Sequence, residues 1–438
     1  MNPRDNERLT DVSPGTPMHA LCSRYWLPAG LASDLPEPDG APIRVRLLGR
    51  NLVAFRDSDG QVGMLDELCP HRRASLMLGQ VRRGTIECIY HGWRFSVDGS
   101  IVEMPNCDDE RLKQRYRANA YPVKEAGGFL WVYLGPKDAM PEFPMHEWMA
   151  LPERNRHPRI IASRSNFVQV MEGLLDTTHL GVLHQDSLPR ADGTVKVVNN
   201  TTRPASRFTA VSNSAKVPVV EVEERSFGIY AAAIREGMAD GEAVRDVRIT
   251  AYVAPFTIYV ANGHVTLMIV PVDTETTHLY IVYWDPEKPF AEEPYRSDIE
   301  RGTGTLPEVA ERWGFSRETL GAPGTMSMAN HWGQDRARMA SGESFSGLEL
   351  FAMEDAACTS SMGTVSDRQE MLVPADLAIV RMRRFLLAAA DAVARGEAPP
   401  AFADAEAARH VGAVHTQIAP GEDWREAVAA TATTTEEA

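Results

Sequence analysis

Cysteine is scarce in this 438-residue chain, which has only five, Cys22, Cys69, Cys88, Cys107 and Cys358. An odd and sparse set excludes a disulfide scaffold and suits a reducing compartment, so the cytoplasm is the expected location. Basic residues are also in the minority. With 45 Lys and Arg against 60 Asp and Glu, the formal net charge of -15 leaves no basic excess to neutralise phosphates, which argues against a nucleic-acid binder. No stretch approaches the roughly 18 consecutive apolar residues of a membrane span, and the opening "MNPRDNERLTDVSPGTPMH" lacks an apolar leader core. A glycine-rich G-x-G-x-x-G turn after a strand is missing as well, so the chain is not expected to bind a dinucleotide itself.

What is present changes character along the chain. From about Tyr25 to Leu134, short runs such as "IRVRLLGRNLVAFRD" and "GGFLWVYLG" alternate with "DSDG", "VDGS" and "EAGG", the pattern of an antiparallel β domain. A proline-rich stretch, "GPKDAMPEFPMHEWMALPERNRHP", then reads as a linker or wrapping segment. "NFVQVMEGLLDTTHLGVLH" has helical apolar spacing, and strand-like runs from "SFGIYAAAIRE" to "THLYIVYWDP" predict an antiparallel sheet with alternating long side chains. "PADLAIVRMRRFLLAAADAVARGE" predicts a helix beginning at Pro374 or Asp376 and ending at Gly396. The expected division is an all-β domain over 19–140, an α+β domain over 141–425 and a polar tail over 426–438.

Within the first domain, "CPHRRASLMLGQVRRGTIECIYHGWRF" holds Cys69, His71, Cys88 and His91 as C-x-H, sixteen residues, then C-x-x-H. Two Cys and two His suit zinc, but zinc fingers usually draw the Cys pair from one loop and the His pair from the other. Here each loop offers one of each. A mixed-ligand [2Fe-2S] cluster needs two thiolates on one iron and two imidazoles on the other, which this order supplies. Cys22, Cys107 and Cys358 have no such partners and read as ordinary thiols.

Some 300 residues follow, far more than an electron carrier needs. In "VMEGLLDTTHLGVLH", Asp176-x2-His179-x4-His184 is preceded by Glu172. Two imidazoles and a carboxylate make the facial triad of O₂-activating iron(II); the alternative is that both histidines are surface residues of an amphipathic helix. On a straight helix Asp176 and His179 lie about 60° apart, but His179 and His184 about 140°. The helix is therefore expected to distort or end, with Gly181 as the candidate point.

"CPHRRASL" and "CIYHGWRF" closely resemble the Rieske domain of the Rieske non-haem iron oxygenases, and D-x2-H-x4-H resembles their mononuclear iron motif. The resemblance runs from about residue 19 to 390. "NFVQVMEGLLDTTH" and "EDAACTSSMGTVSDRQEML" are most similar to the phthalate dioxygenase branch, whose oxygenase component is one type of α subunit. Other branches carry Asn where Glu172 stands, and no role is carried over to it. The resemblance implies an all-β Rieske domain plus a helix-grip catalytic domain, an antiparallel sheet flanked by helices. It also implies Cys69, His71, Cys88 and His91 on a [2Fe-2S] cluster and His179 and His184 on Fe(II). The third, acidic ligand falls at the Glu354-Asp355 pair of "FAMEDAACTSSMG", where Asp355 is taken and Glu354 is the alternative.

By the same resemblance Asp176 bridges the iron site to a Rieske histidine of a neighbouring subunit in a head-to-tail homotrimer or stacked trimers. Electrons from NAD(P)H arrive through a flavin and iron-sulfur reductase, and the substrate is aromatic, with a carboxylate in the manner of phthalate. Arginine is the natural clamp for such a group, and Arg207, Arg235 and Arg248 lie in or beside the expected strands. The implied outcome is ring hydroxylation by a dioxygenase or monooxygenase, with O- or N-demethylation as the alternative within the family. An electron-transfer protein with a non-catalytic partner-binding domain is the alternative outside it.

Overall fold

A computed structural model of the chain describes residues 1–186, 217–239, 241–261, 264–400 and 411–428. Two short helices come first, Pro3–Thr10 and Pro17–Cys22. Each is entered through a proline and capped by a side chain, Asn2 and Thr16 respectively. They do not belong to the sheets that follow them. Asn6 Nδ2 donates to the Val365 carbonyl at 2.6 Å, and the Thr10 carbonyl accepts from Asn166 Nδ2 at 3.0 Å, so the start of the chain is tied to elements far downstream.

Ten strands follow: β1 Trp26–Leu31, β2 Ile43–Leu47, β3 Arg50–Arg56, β4 Val62–Asp66, β5 Gln80–Arg82, β6 Thr85–Glu87, β7 Arg94–Phe95, β8 Ile101–Glu103, β9 Val123–Ala126 and β10 Phe129–Tyr133. They form three antiparallel sheets in the orders β2-β3-β4, β5-β6-β7-β8 and β1-β10-β9. The hairpins β2–β3, β5–β6 and β9–β10 turn on Leu48-Gly49, Arg83-Gly84 and Gly127-Gly128, with both residues of each pair at positive φ. Two-residue turns of that hand match strand twist, which explains why a glycine closes each pair. Phe55, Leu65, Leu76, Ile86 and Phe95 build a separate small core that also takes in Cys69, Cys88 and Trp93.

The proline-rich stretch wraps rather than links. Phe143 and Trp148 on it are buried, the first edge-on to Trp131 and the second edge-on to Phe129 of β10. The fourth sheet contains β11 Arg156–Ser163, β12 Val219–Arg225, β13 Gly228–Ala239, β14 Glu242–Val253, β15 Thr257–Tyr259, β16 Val265–Pro271, β17 Thr277–Trp284 and β18 Val414–Ile418. Its order is β11-β17-β16-β15-β14-β13-β12, and β18 pairs with β14 over Arg245–Ile249 while β15 takes Ala251–Val253. The expected alternation fails on β16, whose seven residues are all buried because both of its faces are covered.

Helices Phe167–Leu175, Phe351–Ser361 and Leu377–Ala394 flank this sheet, and Met171, Leu175, Met353, Met382 and Leu386 join one core with Met268 and Tyr280. The last of these helices has Asp376 at its N-cap and Gly396 at positive φ just past its end, as the sequence predicts. The architecture is thus an all-β unit followed by an antiparallel sheet flanked by helices. Among the described residues no helix is long and apolar enough to cross a membrane.

Candidate metal centres

Cys69 and His71 lie on the loop after β4, and Cys88 and His91 on the loop between β6 and β7. The two loops repeat one backbone pattern. Arg73 N–H donates to the Cys69 carbonyl and Gly92 N–H to the Cys88 carbonyl, each at 2.9 Å. Cys69 N–H in turn donates to Ala74, and Cys88 N–H to Trp93. Arg73 and Gly92, the fifth residue of each loop, both adopt left-handed φ.

Both thiols end up buried while both imidazoles stay partly exposed at the tip. The His71 and His91 rings lie 4.5 Å apart, and Trp93 stacks parallel to His71 at 4.6 Å with its Nε1 held by Asn106 Oδ1. Burial pushes the Cys69 thiol up to about 11, and the neighbouring Cys88 acts in the same direction. Two thiols shut in together need a cation to exist as thiolates. Two thiols and two imidazoles, one of each from each loop, make the donor set of a Rieske cluster, so the residues fit that group.

The second site is built on a broken helix. Asn166 and Gln169 form a capping box that starts Phe167–Leu175, and the helix stops at Asp176, whose backbone is extended. The Asp176 side chain itself ends the helix, because Oδ1 accepts from Thr178 N–H at 2.7 Å and from Thr178 Oγ1 at 2.6 Å. His179 then precedes a single turn, Leu180–Leu183, and His184 follows it. The expected break is real, but it falls at Asp176–Thr178. Gly181 sits inside the short turn.

From the helix Phe351–Ser361, Asp355 Oδ1 approaches both histidines, 3.1 Å from His184 Nε2 and 3.7 Å from His179 Nε2. Ligand atoms from His179, His184 and Asp355 all lie within 4.8 Å of one another. The Nδ1 atoms face outward to other carboxylates, His179 to Asp176 Oδ2 at 3.3 Å and His184 to Glu354 Oε2 at 2.6 Å. Burial opposes a charged His184, but hydrogen bonds with Asp355 and Glu354 outweigh it and lift the group to about 9. Burial likewise opposes ionised Asp176, and contacts from His179 and Thr178 win, lowering it. Three carboxylates around two imidazoles make a site that favours a cation, and the donor set suits Fe(II).

Glu172, one turn before Asp176, is buried among Arg368, Arg383 and Glu370. Arg235 on β13 is buried and donates to the Thr177 carbonyl at 3.1 Å; Arg248 on β14 is buried and donates to the Ala261 carbonyl at 3.1 Å. Arg207 lies outside the described residues. Sequence reasoning gave no part to Ser346, whose Oγ donates to Glu354 Oε1, or to Phe351, which stacks on His184, since neither contact has a sequence spacing. Of the remaining cysteines, Cys22 is buried and Cys358 exposed.

Comparisons with known proteins give the family and the fold. Residues 25–122 match the family "Rieske [2Fe-2S] domain", and residues 132–438 match "LigXa C-terminal domain like". The chain is 32% identical to the phthalate 4,5-dioxygenase oxygenase subunit of Pseudomonas putida, over 97% of this chain and 94% of that protein. It is 34% identical to the 3-chlorobenzoate-3,4-dioxygenase oxygenase subunit of Comamonas testosteroni, over 92% of each. Over 44% of the chain and 46% of the relative, it is 37% identical to the 5,5'-dehydrodivanillate O-demethylase oxygenase subunit of a Sphingobium species. Dicamba monooxygenase bound to dicamba shares the fold, with a TM-score of 0.54 at 17% identity over 85% of this chain and 98% of that one.

Proposed function

Since the chain belongs to the Rieske non-haem iron oxygenases, as an oxygenase subunit of their phthalate-like branch, we propose that it hydroxylates an aromatic ring bearing a carboxylate. It is an oxidoreductase whose cofactors are a Rieske [2Fe-2S] cluster and a mononuclear iron. In this reading Cys69, His71, Cys88 and His91 hold the cluster, and His179, His184 and Asp355 hold the mononuclear iron. The observation that carries it is the convergence of these last three residues, drawn from two separated helical segments, on one point.

When bound, the mononuclear iron is where O₂ is reduced, with electrons supplied through the cluster. The protein's part is to orient and to enclose. Asp176 and Glu354 accept at the outer nitrogens of His179 and His184, which fixes each imidazole with Nε2 free to ligate. Phe351 covers one face of fully buried His184 and keeps water from it. Asp355 remains 39% exposed, so the open side of the site lies there.

Asp176 is the proposed bridge to a neighbouring subunit's Rieske histidine in a homotrimer or stacked trimers. Partial exposure at both ends supports that reading: the Asp176 side chain is 23% exposed, and His71 and His91 are reachable at their loop tips. The reading includes an NAD(P)H-dependent flavin and iron-sulfur reductase as electron donor and the cytoplasm as location, the latter supported by scarce, unpaired cysteines. The divisions 19–140, 141–425 and 426–438 are part of it too. A carboxylated ring calls for a cationic clamp. Arg207, Arg235 and Arg248 are the candidates, and Arg235 and Arg248 are buried with one donation each to a backbone carbonyl.

The test is turnover of the iron-loaded protein with NADH, a matched reductase and O₂ on a panel of aromatic acids, with products identified by mass spectrometry. Ring-hydroxylated acid with oxygen from O₂ is expected. Loss of a methyl group as formaldehyde would instead assign demethylation, and a protein that holds cluster iron but no further iron would be an electron carrier.

A further inference from the structure

We propose that Glu354 is a positioning residue for the mononuclear iron, fixing the His184 ring from the side away from the metal. The proposal rests on the reading of His179, His184 and Asp355 as the ligand set, and it gives Glu354 a separate part beside Asp355. An imidazole offers a nitrogen on each of two edges. Glu354 Oε2 meets His184 at Nδ1, whereas Asp355 Oδ1 meets it at Nε2. Nε2 of His179 also faces Asp355 Oδ1. A metal shared by both histidines therefore lies on the Asp355 side, and Glu354 is left behind the ring.

The helix Phe351–Ser361 grips His184 at three points. Phe351 stacks on its face with centroids 3.6 Å apart, Glu354 takes one edge and Asp355 the other. Glu354 is held in turn: its second oxygen, Oε1, accepts from Ser346 Oγ, and the side chain is 5% exposed. A carboxylate pinned at both oxygens fixes the tautomer with the proton on Nδ1, which leaves Nε2 as the ligating lone pair. The Asp176–His179 pair has the same chemistry and a different setting, since its contact is longer and its members are each 23% exposed. The buried pair holds the metal site together, while the open pair can reach another group.

The two carboxylates should separate in one experiment on the cluster-loaded protein. Fe(II) affinity is measured by chelator competition, together with the electron paramagnetic resonance of the nitric oxide complex of the iron-saturated site. Glu354→Ala should weaken Fe(II) binding by roughly ten- to a hundredfold and alter the nitric oxide signal. Glu354→Gln keeps an acceptor oxygen and should recover most of both. Ser346→Ala, which frees Oε1, should shift both in the same direction by less, and it guards against a Glu354→Ala protein that fails to fold. Asp176→Asn should weaken binding less than Glu354→Ala. Unchanged affinity and an unchanged signal in Glu354→Ala would overturn the proposal. Iron retained in Asp355→Ala and lost in both Glu354 variants would instead make Glu354 the ligand, which overturns the ligand set itself.

Discussion

Asp176 ends the helix Phe167–Leu175 and turns its carboxylate back onto His179, with Oδ2 lying 3.3 Å from Nδ1. One oxygen of the side chain shapes the backbone through Thr178, and the other addresses the imidazole. Asp176→Asn keeps a single acceptor oxygen, which can serve Thr178 or His179 but not both. We expect this variant to keep the visible absorption of the cluster and its mononuclear iron while losing nearly all coupled turnover. Iron analysis beside single-turnover product formation checks this, and product at the parent rate would remove Asp176 from the electron path.

Arg235 crosses from the sheet to the same segment, donating to the Thr177 carbonyl from a buried position opposite Asp246 in the β13–β14 register. Burial lowers its affinity for a proton, and the charges of Asp246 and Asp176 oppose that. Arg235→Gln removes a buried cation favoured by Asp246 and Asp176, together with its hydrogen bond to the Thr177 carbonyl, while His415 still contacts Asp246 at 3.1 Å. The expected result is a clearly lower denaturant midpoint; a raised KM for an aromatic acid would make Arg235 a clamp, and an unchanged one would make it structural alone. A raised KM in Arg207→Gln would assign the clamp to that residue.

Local chemistry was readable in the chain, and the reach between distant segments was not. Cys69, His71, Cys88 and His91 announce themselves because each loop supplies one ligand for each iron at short spacing. Asp355 stands 171 residues from His184, and choosing it over Glu354 depends on which edge of the ring each side chain meets. Glycine at 181 drew the expected helix break because glycine is a poor helix former, whereas Asp176 makes the break by offering Thr178 N–H a better partner. The alternation expected of the fourth sheet is lost on β16, where cover on both faces removes the polar positions that would reveal the period.

Glu172 shows how the segment that carries Asp176 is anchored. Its Oε1 accepts from Arg368 NH1 at 2.8 Å and from Arg383 Nε at 2.7 Å, and Arg383 forks onto both oxygens of Glu370. Two acids and two arginines cancel in charge. Glu172→Ala leaves two largely buried guanidinium groups to share Glu370 and is expected to cost about 3–5 kcal/mol. Arg383→Met alone should cost a similar amount, and the double variant less than the sum because both changes break one network. Urea denaturation of the three proteins measures the coupling. Strict additivity would show that the four groups act independently.

Acid should weaken the protein before its carboxylates protonate. Burial lowers His278 from 6.5 to about 3, with Arg317 adding to the effect, and burial alone lowers His146 from 6.5 to about 4. Both rings are neutral when folded and take up protons more readily when unfolded, so their contribution is complete above pH 6.5 and is lost progressively as pH falls toward the folded values. Glu67 and Glu370 are also lowered, but from 4.5, so their losses begin at lower pH. Between about pH 6.5 and 5 the slope of stability therefore belongs to buried histidine. His278→Gln should make the curve shallower from about pH 6.5 down to about pH 3, where the folded ring also takes up its proton. Denaturant midpoints measured across this range decide it, and an equal slope in the variant would mean that His278 titrates in the folded protein as it does in the unfolded chain.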